Sequence, residues 1–251
     1  MAQLSEIVAF MNTKLRVEEI PDYPRAQNGL QLENAGIVTK VASAVDASLP
    51  VIEKAAAAGC DLLLVHHGMF WQGVRPLTAA YYRKIKLAMD ANLAIYSVHI
   101  PLDIHPVLGN NALLAKKIDL EVTGTFMERK GIYLGLCGHM ELTLGELKSR
   151  LSDVLGGPVL SCGSETSPAG NVGIITGGAG SEVEKIAGDG IDTFITGEGP
   201  HWSHPLAEEL GLKFLYGGHY LTEIFGIREL GALVAHEGGM KHQFVDHPTG
   251  L

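Results

Sequence analysis

Asp61-Leu-Leu-Leu-Val-His-His67 is the stretch on which the reading of this chain turns. An unbroken apolar run of this length suits a strand buried on both faces, as in parallel sheets covered by helices. Outward from it the pattern alternates. Upstream, Val38 to Val45 predicts a strand ending at Asp46, and Ser48 predicts the cap of a helix that runs through Ala58 and stops at Gly59. Downstream, Thr78 to Asn92 reads as a helix and Leu93 to Val98 as the next strand, which leads into Ser97-Val-His-Ile-Pro-Leu-Asp103. A further helix is expected from Asn110 to Ile118.

The same phrase returns later. Asp192-Thr-Phe-Ile-Thr-Gly-Glu198 again starts at Asp and ends in polar residues, and Gly217-Gly-His-Tyr-Leu-Thr-Glu223 again sets an acid four positions after a His. The two phrases recur at different offsets, so the repeat is inexact, yet it points to two related halves facing each other across one site. Between the phrases, Gly131 to Met140 reads as strand and Thr143-Leu-Gly-Glu146 as a capping box for a helix to Leu155. Val172 to Thr176 reads as strand, and Ser181-Glu-Val-Glu184 as a second capping box opening a helix to about Gly188. Strands at Ile191 to Thr196 and Leu212 to Tyr216 flank a helix containing Pro205, and a last helix covers Leu221 to His236. The expected class is α/β with largely parallel sheets, in two similar, duplicated domains spanning 1–126 and 127–251, with a soft boundary near 122–130.

Composition narrows the function. Of 251 residues, 46% are hydrophobic and 19% charged, which is a globular balance. Lys and Arg number 19 against 28 Asp and Glu, a net charge of −9, and no basic cluster offsets it. Nucleic acid is therefore a disfavoured partner, since phosphate neutralisation needs grouped Lys and Arg; Arg83-Lys-Ile-Lys86 reads better as a helix face. Cys60, Cys137 and Cys162 lie far apart without CxxC spacing, which indicates buried free thiols rather than a thiolate zinc site or disulfides. Leu4, Ile7, Val8, Phe10, Met11 and Leu15 make the N-terminus an amphipathic helix, not a signal sequence, and no run reaches membrane-spanning length. A cytoplasmic protein with no membrane partner is expected.

His66 and His67 stand just beyond a buried strand, where ligands gather in open α/β sheets. Adjacent residues on an extended chain point to opposite sides, so the two either turn together at Gly68 or serve different partners. The plainer alternative has one ring bonded to backbone and the other in solvent. Pro101 argues against a regular helix through His99 and Asp103. His219 and Glu223 open the last helix, where residues four apart share a face, although Glu223 also suits simple helix N-terminal stabilisation. Asp46 is a candidate helix cap or support for a ligand His; Glu198 occupies the repeat position of His67 and either enters the site or is exposed. His105, His201 and His204 are weaker candidates, as supporting groups or solvated loop residues, and His139, His236, His242 and His247 have no recognisable company. Gly177-Gly-Ala-Gly180 lacks the Lys and Ser/Thr of a P-loop and reads as a tight strand-to-helix turn. His, Asp and Glu in this grouping are the ligand types that hold a pair of divalent metals.

Leu63-Leu-Val-His-His67 with Gly68-Met-Phe-Trp71, Ser97-Val-His-Ile-Pro-Leu-Asp103 and Gly217-Gly-His-Tyr-Leu-Thr-Glu223 resemble the Nif-three-like family, whose bacterial members are known as GTP cyclohydrolase 1 type 2 homologs. Asn28-Gly-Leu-Gln31 and Val45-Asp46 fit it as well, so the likeness runs from the N-terminal quarter to the last helix. The resemblance implies two similar α/β domains, a dinuclear divalent-metal site in the cleft between them, and a homohexamer. Its ligands would be His66, His67, Asp103, His219 and Glu223, with zinc, iron, manganese or nickel as the cation. Gly68 departs from the family, which usually has Pro there. The leading expectation is a metal-dependent hydrolase that opens the GTP ring, as the family name implies, or attacks a related nucleotide or phosphoester. His99, outside the ligand set, is the candidate catalytic proton shuttle because its unperturbed pKa lies near neutrality. A non-enzymatic metal-binding or metal-delivery scaffold would use the same ligands without a substrate pocket.

Overall fold

Leu62 through His66 have no exposed surface, so this apolar run is a strand covered on both faces. The computed structural model describes residues 1–71, 73 and 75–251. They divide into two compact units, residues 1–102 with 226–247 and residues 103–225 with 248–251.

In the first unit, β1 (Ala2–Gln3) leads into α1 (Leu4–Leu15), followed by β2 (Gly29–Leu32), β3 (Ile37–Val38), β4 (Lys40–Asp46), α2 (Leu49–Ala57), β5 (Leu62–His67), α3 (Ala79–Asp90) and β6 (Ala94–Ser97). The one-turn helix α4 (Ile100–Asp103) spans the division. The sheet order is β13-β4-β5-β6-β2, where β13 (Lys241–Phe244) comes from the far end of the chain. β13, β4, β5 and β6 are parallel and β2 is antiparallel to β6. One core cluster combines Val51, Ile52 and Ala55 of α2 with Leu63, Val65 and Ile95 from the sheet.

The second unit continues with α5 (Asn110–Lys117), β7 (Gly124–Arg129), β8 (Ile132–Thr143), α6 (Leu144–Leu155), β9 (Leu160–Cys162), β10 (Pro168–Ile174), α7 (Val183–Gly188), β11 (Thr193–Thr196), α8 (Ser203–Leu210), β12 (Lys213–Tyr216) and the start of α9 (His219–Glu237). Its sheet runs β7-β8-β10-β11-β12-β9. Only β10–β11 and β11–β12 pair in parallel; β7–β8, β8–β10 and β12–β9 are antiparallel. Both units are thus mixed α/β, and the expectation of largely parallel sheets holds for the first alone.

Each compact unit joins two stretches of chain, because the chain leaves the second unit within α9 and β13 then pairs with β4. Several local expectations differ from the structure. β7 forms where the sequence reading placed a boundary. Lys130 and Gly131, with φ of 52° and 81°, close its hairpin with β8, as a tight two-residue turn requires. Pro101 lies within α4: a first-turn proline gives up an N–H that has no helical partner anyway. The Thr143–Glu146 capping box forms with both of its hydrogen bonds, whereas α7 starts at Val183 behind Glu182 with no side-chain cap, and Ser48 makes no cap bond to α2. Among the described residues no helix is long and apolar enough to cross a membrane.

Candidate metal site

β5 carries His66 and His67 to its C-terminal end, and β6 delivers His99 just beyond its own. Although neighbours on a strand diverge, the His66 and His67 ring centroids lie 4.9 Å apart, and His99 stands 5.0 Å from the first and 5.7 Å from the second. One ring nitrogen from each of the three falls within 4.8 Å of the others, a spacing that could hold a cation.

Sheet register explains how the rings are aimed. Asp46 on β4 is the register partner of His67 on β5, and its Oδ1 accepts a hydrogen bond from His67 Nδ1 at 2.9 Å. His66 Nδ1 donates to the carbonyl of Val98, just after β6, at 2.9 Å. His99 Nδ1 meets Asp22 Oδ1 at 2.9 Å. Asp22 is in turn held by Asn28 Nδ2 at 2.8 Å and the Ile100 amide at 3.0 Å, while the His99 amide donates to Asn28 Oδ1 at 2.8 Å. Burial would push the Asp22 carboxyl up, but the hydrogen bond and charge of His99, helped by Asn28 and the Tyr23 amide, bring it below its usual value. Trp71 stands edge-on to His99 with centroids 4.8 Å apart, and Tyr23 lies 6.0 Å from the same ring. Gly68 has a steric reason: a β-carbon there would strike the Gln31 amide, whose Oε1 accepts from the Met69 amide at 2.7 Å.

The second unit holds the other candidates. Asp103, ending α4, accepts from Asn110 Nδ2 at 2.8 Å. His219 and Glu223 share a face of α9, with Nε2 to Oε2 at 3.2 Å, and Glu223 is 2% exposed. His219 Nδ1 lies 2.8 Å from Glu198 Oε1, so Glu198, partly exposed beyond β11, orients this ring. Burial would lower the His219 pKa, but the hydrogen bonds and charges of Glu223 and Glu198 override it and raise it to about 9. This pocket for an imidazolium between two carboxylates has the charge balance of a cation site.

The glycine run that reads as a turn also makes room here. Gly177 has φ of 72°, its amide donates to Thr222 Oγ1 at 3.1 Å, and a β-carbon on it would collide with Glu223 Oε1. Gly177→Ala is therefore expected to displace the Glu223 carboxylate and lower divalent-metal affinity by at least the ~10–100-fold typical of losing a group that orients a ligand. Isothermal titration with zinc would measure it, and unchanged affinity would dismiss the role.

His66, His67 and His99 thus come together in the first unit, and His219 and Glu223 in the second. His105 instead accepts the Val107 and Leu108 amides, His201 is exposed, and His242 bonds to Ser43. His204 pairs with Glu208, while His139 and His236 pair with exposed acids and His247 with Lys54. Asp22 was missed by the sequence reading. It lies in a proline-broken stretch 77 residues from His99, with no spacing signal to tie the two.

An α/β chain with histidines and carboxylates grouped at strand ends matches known proteins over its whole length. It belongs to the Duf34/NIF3 (NGG1p interacting factor 3) family, whose profile matches residues 2–249. It is 36% identical over 248 residues to a GTP cyclohydrolase 1 type 2 homolog of Deinococcus radiodurans, covering 98% of this chain and 94% of that one. A relative with the same name from Pyrococcus abyssi is 37% identical, with 98% of each chain covered. Among solved structures, protein ybgI, described as of unknown function, superimposes with a TM-score of 0.91 at 34% identity and full coverage of both chains. Reduced HcgD from Methanocaldococcus jannaschii gives a TM-score of 0.86 at 26% identity over 98% of each chain.

Proposed function

We propose that His66, His67, Asp103, His219 and Glu223 hold two divalent cations and that the protein is a metal-dependent hydrolase of a small nucleotide-like substrate. The observation that carries the metal reading is shared by the three ligand rings. Nδ1 of His66 and of His67 meets an oxygen acceptor at 2.9 Å, and that of His219 at 2.8 Å. An Nδ1–H committed to oxygen leaves the lone pair of a neutral ring on Nε2, which is how metal-ligating histidines are almost always oriented. The donor set of imidazole and carboxylate suits zinc, iron, manganese or nickel. When bound, a pair of such cations supplies Lewis acidity toward a carbonyl, phosphoryl or purine carbon.

His99 is assigned to proton transfer. Asp22 orients its ring as a carboxylate orients the imidazole of a hydrolytic triad, and the Trp71 and Tyr23 rings lie beside it. The relatives' name suggests GTP as substrate, with hydrolytic opening of the imidazole ring and release of formate. The test incubates the metal-loaded protein with GTP and a panel of phosphoesters, measuring formate and phosphate. Turnover that stops on chelation is expected; no turnover of any of them would favour a metal-delivery role instead.

Domain duplication belongs to this reading, supported by hydrogen bonds that recur. Asp61 N donates to Lys40 O and Asp192 N to Asn171 O; Ala94 N donates to Asp61 O and Lys213 N to Asp192 O; Val98 N donates to Val65 O and Gly217 N to Thr196 O. Both aspartates also accept amides from the preceding strand or its approach, Asp61 from Thr39 and Lys40, and Asp192 from Asn171. Counted forward from Val98 and Gly217, His219 falls opposite Ile100, not His99. The two His-x-x-x-acid phrases are therefore one residue out of step, which fits His99 having its own role. A hexamer is part of the reading through family resemblance, and light scattering that reports a monomer would remove it.

A further inference from the structure

Cys162 ends the edge strand β9, paired in register with Phe214 of β12, and is 1% exposed in a cluster that includes Ala207, Leu212 and Phe214. α8 packs against both strands. It turns His204 and Glu208, one helical turn apart, to the same side, with Nε2 to Oε1 at 3.8 Å. The Cys162 Sγ, a His204 ring nitrogen and a Glu208 carboxylate oxygen all lie within 4.8 Å of one another. We propose that Cys162, His204 and Glu208 form a separate, mononuclear site for a borderline-soft divalent cation, zinc foremost.

The donors are the chemical argument. One thiolate, one imidazole and one carboxylate make the three-protein-ligand set of an open zinc site, with the fourth position left to water or a small ligand. Bonds of about 2.3 Å to sulfur and about 2.0–2.1 Å to nitrogen and oxygen ask for ligand separations of roughly 3.5 Å in a tetrahedron. The remaining contraction falls to His204 and Glu208, whose side chains are 45% and 61% exposed and can rotate, while the cysteine is fixed in the sheet. Without a cation the thiol donates to the His204 carbonyl at 3.6 Å, and burial together with the charge of Glu208 keeps it protonated. On binding, the thiol proton leaves to solvent, sulfur turns to the cation, and the net charge of thiolate and carboxylate is met. Such a bond would clamp β9 to α8. The sequence hides this site: the cysteine has no CxxC partner, and its co-ligands lie on another element.

Cobalt(II) reports the outcome, because a cysteine-bound cobalt shows a thiolate charge-transfer band that His and carboxylate ligands cannot produce. The full-length protein, kept under reductant, is titrated with cobalt. The expected result is one such band per chain, lost in Cys162→Ser and shifted to at least tenfold higher cobalt concentration in His204→Gln and Glu208→Gln. The last two variants change exposed side chains, so they test the site even if Cys162→Ser fails to fold. The band should persist in a His66→Ala/Glu223→Ala double variant, which separates this site from the proposed dinuclear centre. A wild type without the band overturns the proposal. So does a band that survives in Cys162→Ser, which would trace it to Cys60 or Cys137, or one that ignores both His204→Gln and Glu208→Gln.

Discussion

Glu223→Gln is expected to strip the protein of most of its divalent metal and to lower the pKa of His219 in the metal-free protein. The carboxylate is buried at 2% exposure and faces His219 Nε2 at 3.2 Å, so its charge acts in a medium that screens it weakly. Glutamine keeps the shape, so packing around Gly177 and α9 should survive while the charge is lost. Removing an outer-shell partner typically costs about 10–100-fold in metal affinity; removing this carboxylate should cost more than Asp46→Ala or Glu198→Ala, which disturb only the His67 and His219 orienting bonds. The pH dependence follows from the same pair. His219 is raised from 6.5 to about 9, so its ion pairs stabilise the metal-free fold fully below pH 6.5 and are lost as pH rises through about 9. In Glu223→Gln that window should contract toward neutrality. Elemental analysis and an NMR titration of the His219 ring after chelation measure both. Full metal content together with an unmoved midpoint would refute the role.

His99→Gln should cut hydrolytic turnover by about 10²–10⁴-fold, the usual contribution of a positioned general acid or base, while metal content changes little. The ring is held from behind by Asp22, which is itself fixed by Asn28 and the Ile100 amide, so its orientation costs nothing at the moment of reaction. Asp22→Asn should reproduce part of the loss, because an amide there no longer selects the tautomer with its proton on Nδ1. The informative comparison is with His66→Ala, which is expected to lose metal and activity together. If His99→Gln loses metal as completely as His66→Ala, His99 is a ligand; its nitrogen lies close enough to those of His66 and His67 for that outcome to be a real test.

How much of this was readable in one dimension depends on how local the cause is. The Thr143–Glu146 capping box lies within four consecutive residues, and it forms. Ser181-Glu-Val-Glu184 has the same Ser/Thr-x-x-Glu pattern but no box, since α7 opens at Val183 behind a Glu182 in a conformation that offers no side-chain cap. His219 and Glu223 could be placed on one helix face from spacing alone. The Lys130-Gly131 hairpin was missed because its signal is weak: a lysine supplies the first positive φ where Asn or Asp is the usual mark.

By itself the sequence determined the buried parallel strands, through runs such as Leu62–Val65 that only a two-sided covering satisfies, and the candidate donors at their ends. Only the tertiary structure decided what orients those donors. Asp46 meets His67 because β4 and β5 pair in that register, Asp22 meets His99 across 77 residues, and Glu198 meets His219 across 21. It also decided that β7 and β9 pair antiparallel at the edges of the second sheet and that β13 returns to the first. The reason is physical: apolar periodicity and capping act within a turn or two of chain, whereas strand register and the carboxylates that aim a ring are set by packing between residues far apart in sequence.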